Sequence, residues 1–457
     1  MIQDVFRLAH TTEHPDAVAA FERATEEVAA HRPGAGVALA EALASDPQLV
    51  AAHCLKGFAQ LILARSELQF GAEAALLSAE QALQAKGGGS EDETLLVFAL
   101  RRAIEGKFHA AADLLETITD ARPTVFLPLK LSHALRFMVG DLAGMLKRTE
   151  ALVAAYDPAL DGYGYFLGCH AFGLEEAGRY EEAERTGRAA ALAEPKDAWG
   201  IHAVAHVYEM RHQPADGIAW IDDQRASWTG CNNFAYHLSW HQGLFHLEQG
   251  DSDAALHLYD TEIRAQPTDD FRDITNAASL LWRLTEQGIP VGTRWEELAD
   301  RARHRKTDGT YMFAALHHLL SLLATGDFAS ARDCVAMIGA RAEGTGDQAR
   351  VAGQVARDLA QTLLRTAQGQ RPRLDLPELA ERLPLLGGSH AQRDVFMRAL
   401  AQSAARQGNR REAATLLRLR AERRRVDRFA ERMFQTLATV PPVATVPQEP
   451  PRWRHHA

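Results

Sequence analysis

The feature that most constrains this chain is a set of landmarks recurring at the roughly 34-residue period of a tetratricopeptide-like helix-turn-helix unit. In such a unit glycine marks the turn between the two helices, small residues sit where the helices cross, and proline closes the second helix. Gly178, Tyr180, Ala183 and Pro195 fill the turn, aromatic, crossing and closing positions of one unit. One period later Ala205, Tyr208 and Gly217 fall into register. After an insertion around Gly230, Cys231, Asn232 and Asn233, a third unit shows Gly250, Ala255 and Pro267. The spacing predicts three stacked helix pairs between Asp161 and Asp270. One helix pair of this size cannot bury its own apolar face, so the stack has to continue on both sides.

The flanking sequence continues it. Pro15 to Asp46 and Gln48 to Lys86 read as helix pairs, the second stopped by Gly87, Gly88 and Gly89. Gly106, Gly140, Gly326 and Gly408 mark further turns, and Ser389 with Gln392 fits a capping box. Ala and Leu dominate and no strand-like alternation is present. The expectation is an all-α, TPR-like α-solenoid of about ten stacked helix pairs with a concave groove. Residues 1–160 form its N-terminal repeats, 161–305 the central repeats with the candidate site, and 306–439 the C-terminal repeats, all in one continuous solenoid. Residues 440–457, with five prolines and no apolar period, read as a disordered tail.

Charge and motifs bear on the function class. A net charge of −10 over 457 residues is mild and argues against a nucleic acid partner. Cys54, Cys169, Cys231 and Cys334 lack CxxC spacing and read as reduced thiols. The N-terminus lacks a basic start followed by an apolar core, and no run approaches the roughly 18 apolar residues of a membrane helix, so the expectation is a cytoplasmic protein with no membrane partner. P-loop, Rossmann and GxSxG patterns are absent.

Once the crossing residues are set, the 3.6-residue period assigns the groove-facing positions. In the central units these carry Glu175 and Glu176, then His202, His206 and Glu209, then His237, Trp240 and Glu248. His202 and His206 are spaced i, i+4 with Glu209 three further on, so all three share one helical face. His237 and His241 repeat that spacing one unit later, and helices packed about 8–10 Å apart bring the two pairs together. Imidazoles at this spacing offer hydrogen bonds, a general base or ligands for a divalent metal, and the carboxylates attract cationic groups. The same residues have plainer readings. Glu175 and Glu176 suit solvated groove acids, and His170 suits a packed histidine with a hydrogen-bond partner. Trp228, Trp240 and Trp282 suit packing, and the basic run Arg418 to Arg425 suits a solvated face. Because Ala203 follows His202, there is no HExxH motif and no support for a zinc protease.

Four stretches resemble the tetratricopeptide repeat protein thirty-eight family: Gly168 to Glu176, Asp197-Ala198-Trp199 with His202 to Met210, Ser279 to Leu284, and Gly387 to Asp394. The likeness covers most of the chain and is most specific between Asp161 and Trp295. It implies a TPR-like solenoid and brings no settled activity. The leading expectation is a groove that binds a peptide, a protein segment or a small polar molecule through Glu175, Glu176, His202, His206, Glu209, His237, Trp240 and His241. The alternative is an enzyme with His202, His206, His237, His241, Glu175 and Glu209 as catalytic candidates and a divalent metal on the four histidines. Curvature decides much here: a closed coil makes a small-molecule pocket, an open one a channel for an extended peptide.

Overall fold

The computed structural model describes residues 1–439, so the expected tail at 440–457 lies outside the described residues. Apart from a two-residue antiparallel pairing of Ile2–Gln3 with Ala9–His10, the described chain is helical. It is an all-α solenoid. Its pairs begin with Pro15–Ala29 and Ala35–Ser45, Val50–Ile62 and Gln69–Ala85, Glu91–Ile104 and Phe108–Ala121, and Phe126–Met138 and Leu142–Leu152. The central pairs are Tyr163–Glu176 with Tyr180–Ala193, Ala198–Met210 with Pro214–Asp223, and Phe234–Gln249 with Ser252–Leu258. Phe271–Glu286 with Arg294–Arg305 and Met312–Ala324 with Phe328–Ala342 follow, and His390–Arg406 with Arg410–Ala421 comes later. The capping box forms: Gln392 N donates to Ser389 Oγ at 3.2 Å and Ser389 N donates to Gln392 Oε1 at 2.9 Å.

The structure departs from the sequence reading in three places. The insertion before Phe234 carries a one-turn helix, Arg225–Trp228, pinned by the Trp228 ring N–H on the Ile221 carbonyl at 2.9 Å. The proline-bearing connector contains a short helix, Leu376–Glu381, and a 3-10 turn, Leu383–Leu386, which bury Leu376, Leu379, Leu383 and Leu386. The basic run is not a uniformly solvated face. Arg420 and Arg424 point inward, Arg420 Nε 2.6 Å from Asp394 Oδ1 and Arg424 Nη1 3.3 Å from Asp394 Oδ2. Their counter-ion lies on the preceding helix, where a local charge pattern does not reveal it.

The superhelix coils until its first repeats touch its last. One contiguous apolar core runs from Leu8 through Val139 to the C-terminal helices as far as Ala430. Polar contacts span the same seam: Arg305 Nη2 lies 2.7 Å from Glu67 Oε1, Asp347 N donates to the Gly106 carbonyl at 2.8 Å, and Gln348 Nε2 donates to the Met138 carbonyl at 3.1 Å. Backbone approaches backbone at Gly140, where φ is 72° and an added Cβ would stand 2.2 Å from the Pro384 carbonyl oxygen. Gly140→Ala therefore combines left-handed strain with a clash that no side-chain rotation relieves. It is expected to cost about 2 kcal/mol and to speed amide exchange at 376–390. A melting temperature within a degree of the parent would show that the seam is loose. Among the described residues no helix is long and apolar enough to cross a membrane.

Candidate functional site

The site is built on Ala198–Met210, a helix buried at every residue except Trp199. Its start is capped by Asp197, whose Oδ2 accepts from Gly200 N at 3.0 Å. Burial lifts the Asp197 carboxyl to about 7, with the Lys130 cation pulling it back down. The neighbouring helix Tyr180–Ala193 approaches closely because Gly187 has no side chain: a Cβ there would meet Val204 Cγ2 at 2.6 Å and the Gly200 carbonyl at 3.0 Å. With helices on all sides, His202 and His206 face neighbouring helices rather than water.

The two predicted pairs meet. His202 Nε2 lies 2.8 Å from His206 Nε2 and 2.9 Å from His237 Nε2. A ring nitrogen of each of His202, His206, His237 and His241 lies within 4.8 Å of every other. An imidazole nitrogen carries either one proton or one lone pair, so His202 Nε2 completes at most one of its two short contacts as a hydrogen bond, whichever tautomers are chosen. The four imidazoles could instead all turn lone pairs toward one cation, which would remove the conflict. Nitrogens around a tetrahedral ion, each about 2.0–2.1 Å from it, stand roughly 3.3 Å apart, between the shortest and longest separations here.

The outward nitrogens are partly held. His237 Nδ1 pairs with Asn276 Oδ1 at 2.8 Å, His241 Nδ1 with Glu209 Oε2 at 3.2 Å, and His206 Nδ1 faces Glu175 Oε2 at 3.6 Å. Such partners orient metal-ligating imidazoles and raise their basicity. Burial depresses all four histidines, His237 to about 4 and the other three well below their ordinary value, with the neighbouring imidazoles adding to the effect at His202, His206 and His241. They are neutral at pH 7, the form a metal needs. Burial, then the adjacent Glu176 and Glu209, raises Glu175 well above the carboxylate range.

The groove positions are not solvent-facing, which corrects the reading of Glu175 and Glu176 as solvated acids. Both are buried, as are Glu209, Trp240 and the four histidines. The cause is the returning C-terminal repeats. His390 N donates to Glu176 Oε1 at 2.8 Å, Arg393 Nη2 lies 3.1 Å from Glu176 Oε2, and Arg424 reaches Glu209 at 3.5 Å. Glu175 and Glu176 share a second cluster with His206. Trp240 is a packing residue, fully buried in an apolar cluster and stacked on the His237 ring at 5.1 Å. His170 is a packed histidine, its Nδ1 3.0 Å from Thr149 Oγ1.

Beside the centre lies a cavity of about 160 Å³, with His202 and His237 in its wall. Residues from all parts of the chain close it, among them His31, Lys130, Trp199, Asn276, Tyr311 and Gln392. None of these stood among the predicted site residues. Lys130 leaves a legible trace, a lone charge directly after the apolar run Phe126-Leu127-Pro128-Leu129, and Trp199 and Gln392 fall in the stretches that carry the family resemblance; His31, Asn276 and Tyr311 carry no local signal.

No protein-family model matches the chain. Two solved chains of IFIT1, each a monomeric mutant, are similar in structure. One is with Gppp-AAAA, at a TM-score of 0.40, and the other is with m7Gppp-AAAA, at a TM-score of 0.37; each is 13% identical and covers 85% of this chain and 90% of that chain. The exclusion of nucleic acid drawn from net charge is withdrawn on this finding: a chain to which this one is similar was solved with Gppp-AAAA, and overall charge does not limit a local surface.

Proposed function

We propose that this protein is a metal-dependent enzyme for a small molecule, with a divalent transition metal held by His202, His206, His237 and His241 at the wall of the pocket. The observation that carries it is the double short contact of His202 Nε2 within four converging, neutral imidazoles. An all-imidazole set suits zinc, iron, nickel or copper better than magnesium or calcium. Such a metal polarises a bound oxygen or lowers the pKa of a bound water. His202 and His237 belong to both the centre and the cavity wall, so a molecule in the cavity would sit against these two imidazoles, and a metal held there would reach it by adding a fifth ligand or exchanging one histidine. Glu175, its carboxyl raised by burial and 3.6 Å from His206 Nδ1, is placed to tune that ligand. The closed coil favours a small molecule over an extended peptide, since the cavity is walled from both ends of the chain. Membership of the tetratricopeptide repeat protein thirty-eight family belongs to this proposal too: the stretches carrying that resemblance supply Trp199, His202, His206, Gly388 and Gln392.

Elemental analysis of protein purified without chelator tests the reading. Close to one equivalent of a transition metal is expected. Stripped protein titrated with Co(II) should develop visible absorption of a nitrogen-ligated ion, saturating at one equivalent. A metal-free preparation that also fails to bind added Co(II), Zn(II) or Ni(II) would sink the proposal.

A further inference from the structure

We infer that the pocket recognises its ligand by an anionic head group on Lys130, and that the ligand is a small carboxylate with one flat apolar ring. This deepens the proposed function and rests on its placing of the pocket beside the histidine centre.

Lys130 stands on Phe126–Met138, is only 7% exposed, and lines the cavity. Among the described residues no carboxylate lies within salt-bridge distance of its Nζ, which stands over the face of Trp199, 5.4 Å from the ring centroid. A buried ammonium left without a partner is costly, and an arriving anion removes that cost. The other cation in the wall, Arg272, is already occupied by Asp270 at 2.6 Å. The acid that senses Lys130, Asp197, is engaged at the helix start through Gly200 N. No Asp or Glu lines the cavity.

The remaining polar atoms in the wall point the same way. Both ring nitrogens of His133, the Trp199 Nε1 and the Asn276 Nδ2 are buried without partners. They are shielded from the cavity itself, so what the wall presents to a head group is the Lys130 ammonium, with no carboxylate in the wall to compete for it. Between the head-group end and the histidines the cavity is bounded by rings, including Phe137, Phe234, Phe271 and Phe313. By volume, about 160 Å³, the cavity has room for a benzene-sized body, which fits a space of about 150 Å³. Trp199 spans the interval, its ring 5.4 Å from Lys130 Nζ and 5.0 Å from the His202 ring. A ring carboxylate seated on Lys130 therefore extends toward the metal-binding face.

The test is titration calorimetry with benzoate and phenylacetate against benzamide, benzyl alcohol, benzylamine and inorganic phosphate, with metal content measured on every preparation. The carboxylates are expected to bind at least tenfold more tightly than the neutral and cationic analogues. Lys130→Met should abolish that preference with metal content and melting temperature unchanged, while Lys130→Arg keeps it. Equal binding of benzamide, or a carboxylate preference that survives Lys130→Met, overturns the inference. Phosphate binding as tightly as benzoate overturns the ring requirement. A metal-free protein that keeps Lys130-dependent carboxylate binding would refute the metal centre and leave this inference standing. A metal-loaded protein without carboxylate preference does the reverse.

Discussion

His202→Ala is expected to empty the metal centre, dropping metal content from near one equivalent to background under the same purification. His202 is chosen because both of the shortest nitrogen contacts run through its Nε2. The ring also packs against Phe172, centroids 5.5 Å apart, and Trp199, so truncation leaves a cavity costing about 2–3 kcal/mol. His241→Gln separates the two effects: it nearly preserves volume while removing the imidazole paired with Glu209. Both variants should lose metal, and His241→Gln should do so with a smaller change in melting temperature. Asn276→Ala tests the outer layer. It frees His237 Nδ1 and is expected to weaken metal binding 10–100-fold in chelator competition without touching a ligand. Metal that persists at full occupancy in both histidine variants would place it elsewhere.

Acid is expected to destabilise the chelator-stripped protein steeply below pH 6.5. Outside the centre, His133, His317 and His318 are buried, and burial lowers them to about 3, about 3 and about 4, with the Lys130 cation assisting at His133 and neighbouring groups contributing less at the other two. Above the unfolded value of 6.5 these rings are neutral in both states and stability does not depend on them. As pH falls through 6.5 the unfolded chain binds protons that the folded chain refuses, so stability declines until the folded values near 3–4 are reached. At pH 5 each ring contributes a loss of about 2 kcal/mol, and the three together about 6, a large share of a typical 5–15 kcal/mol. Urea unfolding at pH 7.5 and pH 5 measures it. His317→Phe, which replaces a ring already packed against Phe313 and Phe396, should remove about 2 kcal/mol of the loss, the buried histidines of the stripped centre and His31 supplying further loss of the same sign. An unchanged urea midpoint at the two pH values would mean that these histidines accept protons in the folded state.

The stack of helix pairs was legible from residue spacing because each landmark acts within a single unit. Gly178 and Gly250 end helices in the left-handed conformation, and Ala183 and Ala255 are fully buried at their crossings. The i, i+4 histidine pairs were legible for the same reason, since helical geometry alone puts His202 with His206 and His237 with His241 on common faces. Their convergence followed from neighbouring repeats packing side by side.

What local spacing did not reveal was burial. Glu176 reads as a groove acid until Arg393 and the His390 amide arrive from the far end of the chain. Arg420 reads as surface until Asp394 and Asp427 enclose it. Lys130, Asn276 and Tyr311 belong to no common motif and meet only because the coil brings their repeats to one cavity. The sequence by itself determined the repeat, the all-helical stack and which histidines share a face, since these depend on contacts within one unit or between adjacent ones. The tertiary structure decided that the groove is closed, that its polar residues are dry, and that a pocket with an unpaired cation lies beside the histidines. The reason is physical: superhelix closure is the sum of small rotations at every interface, so no single stretch of sequence encodes it.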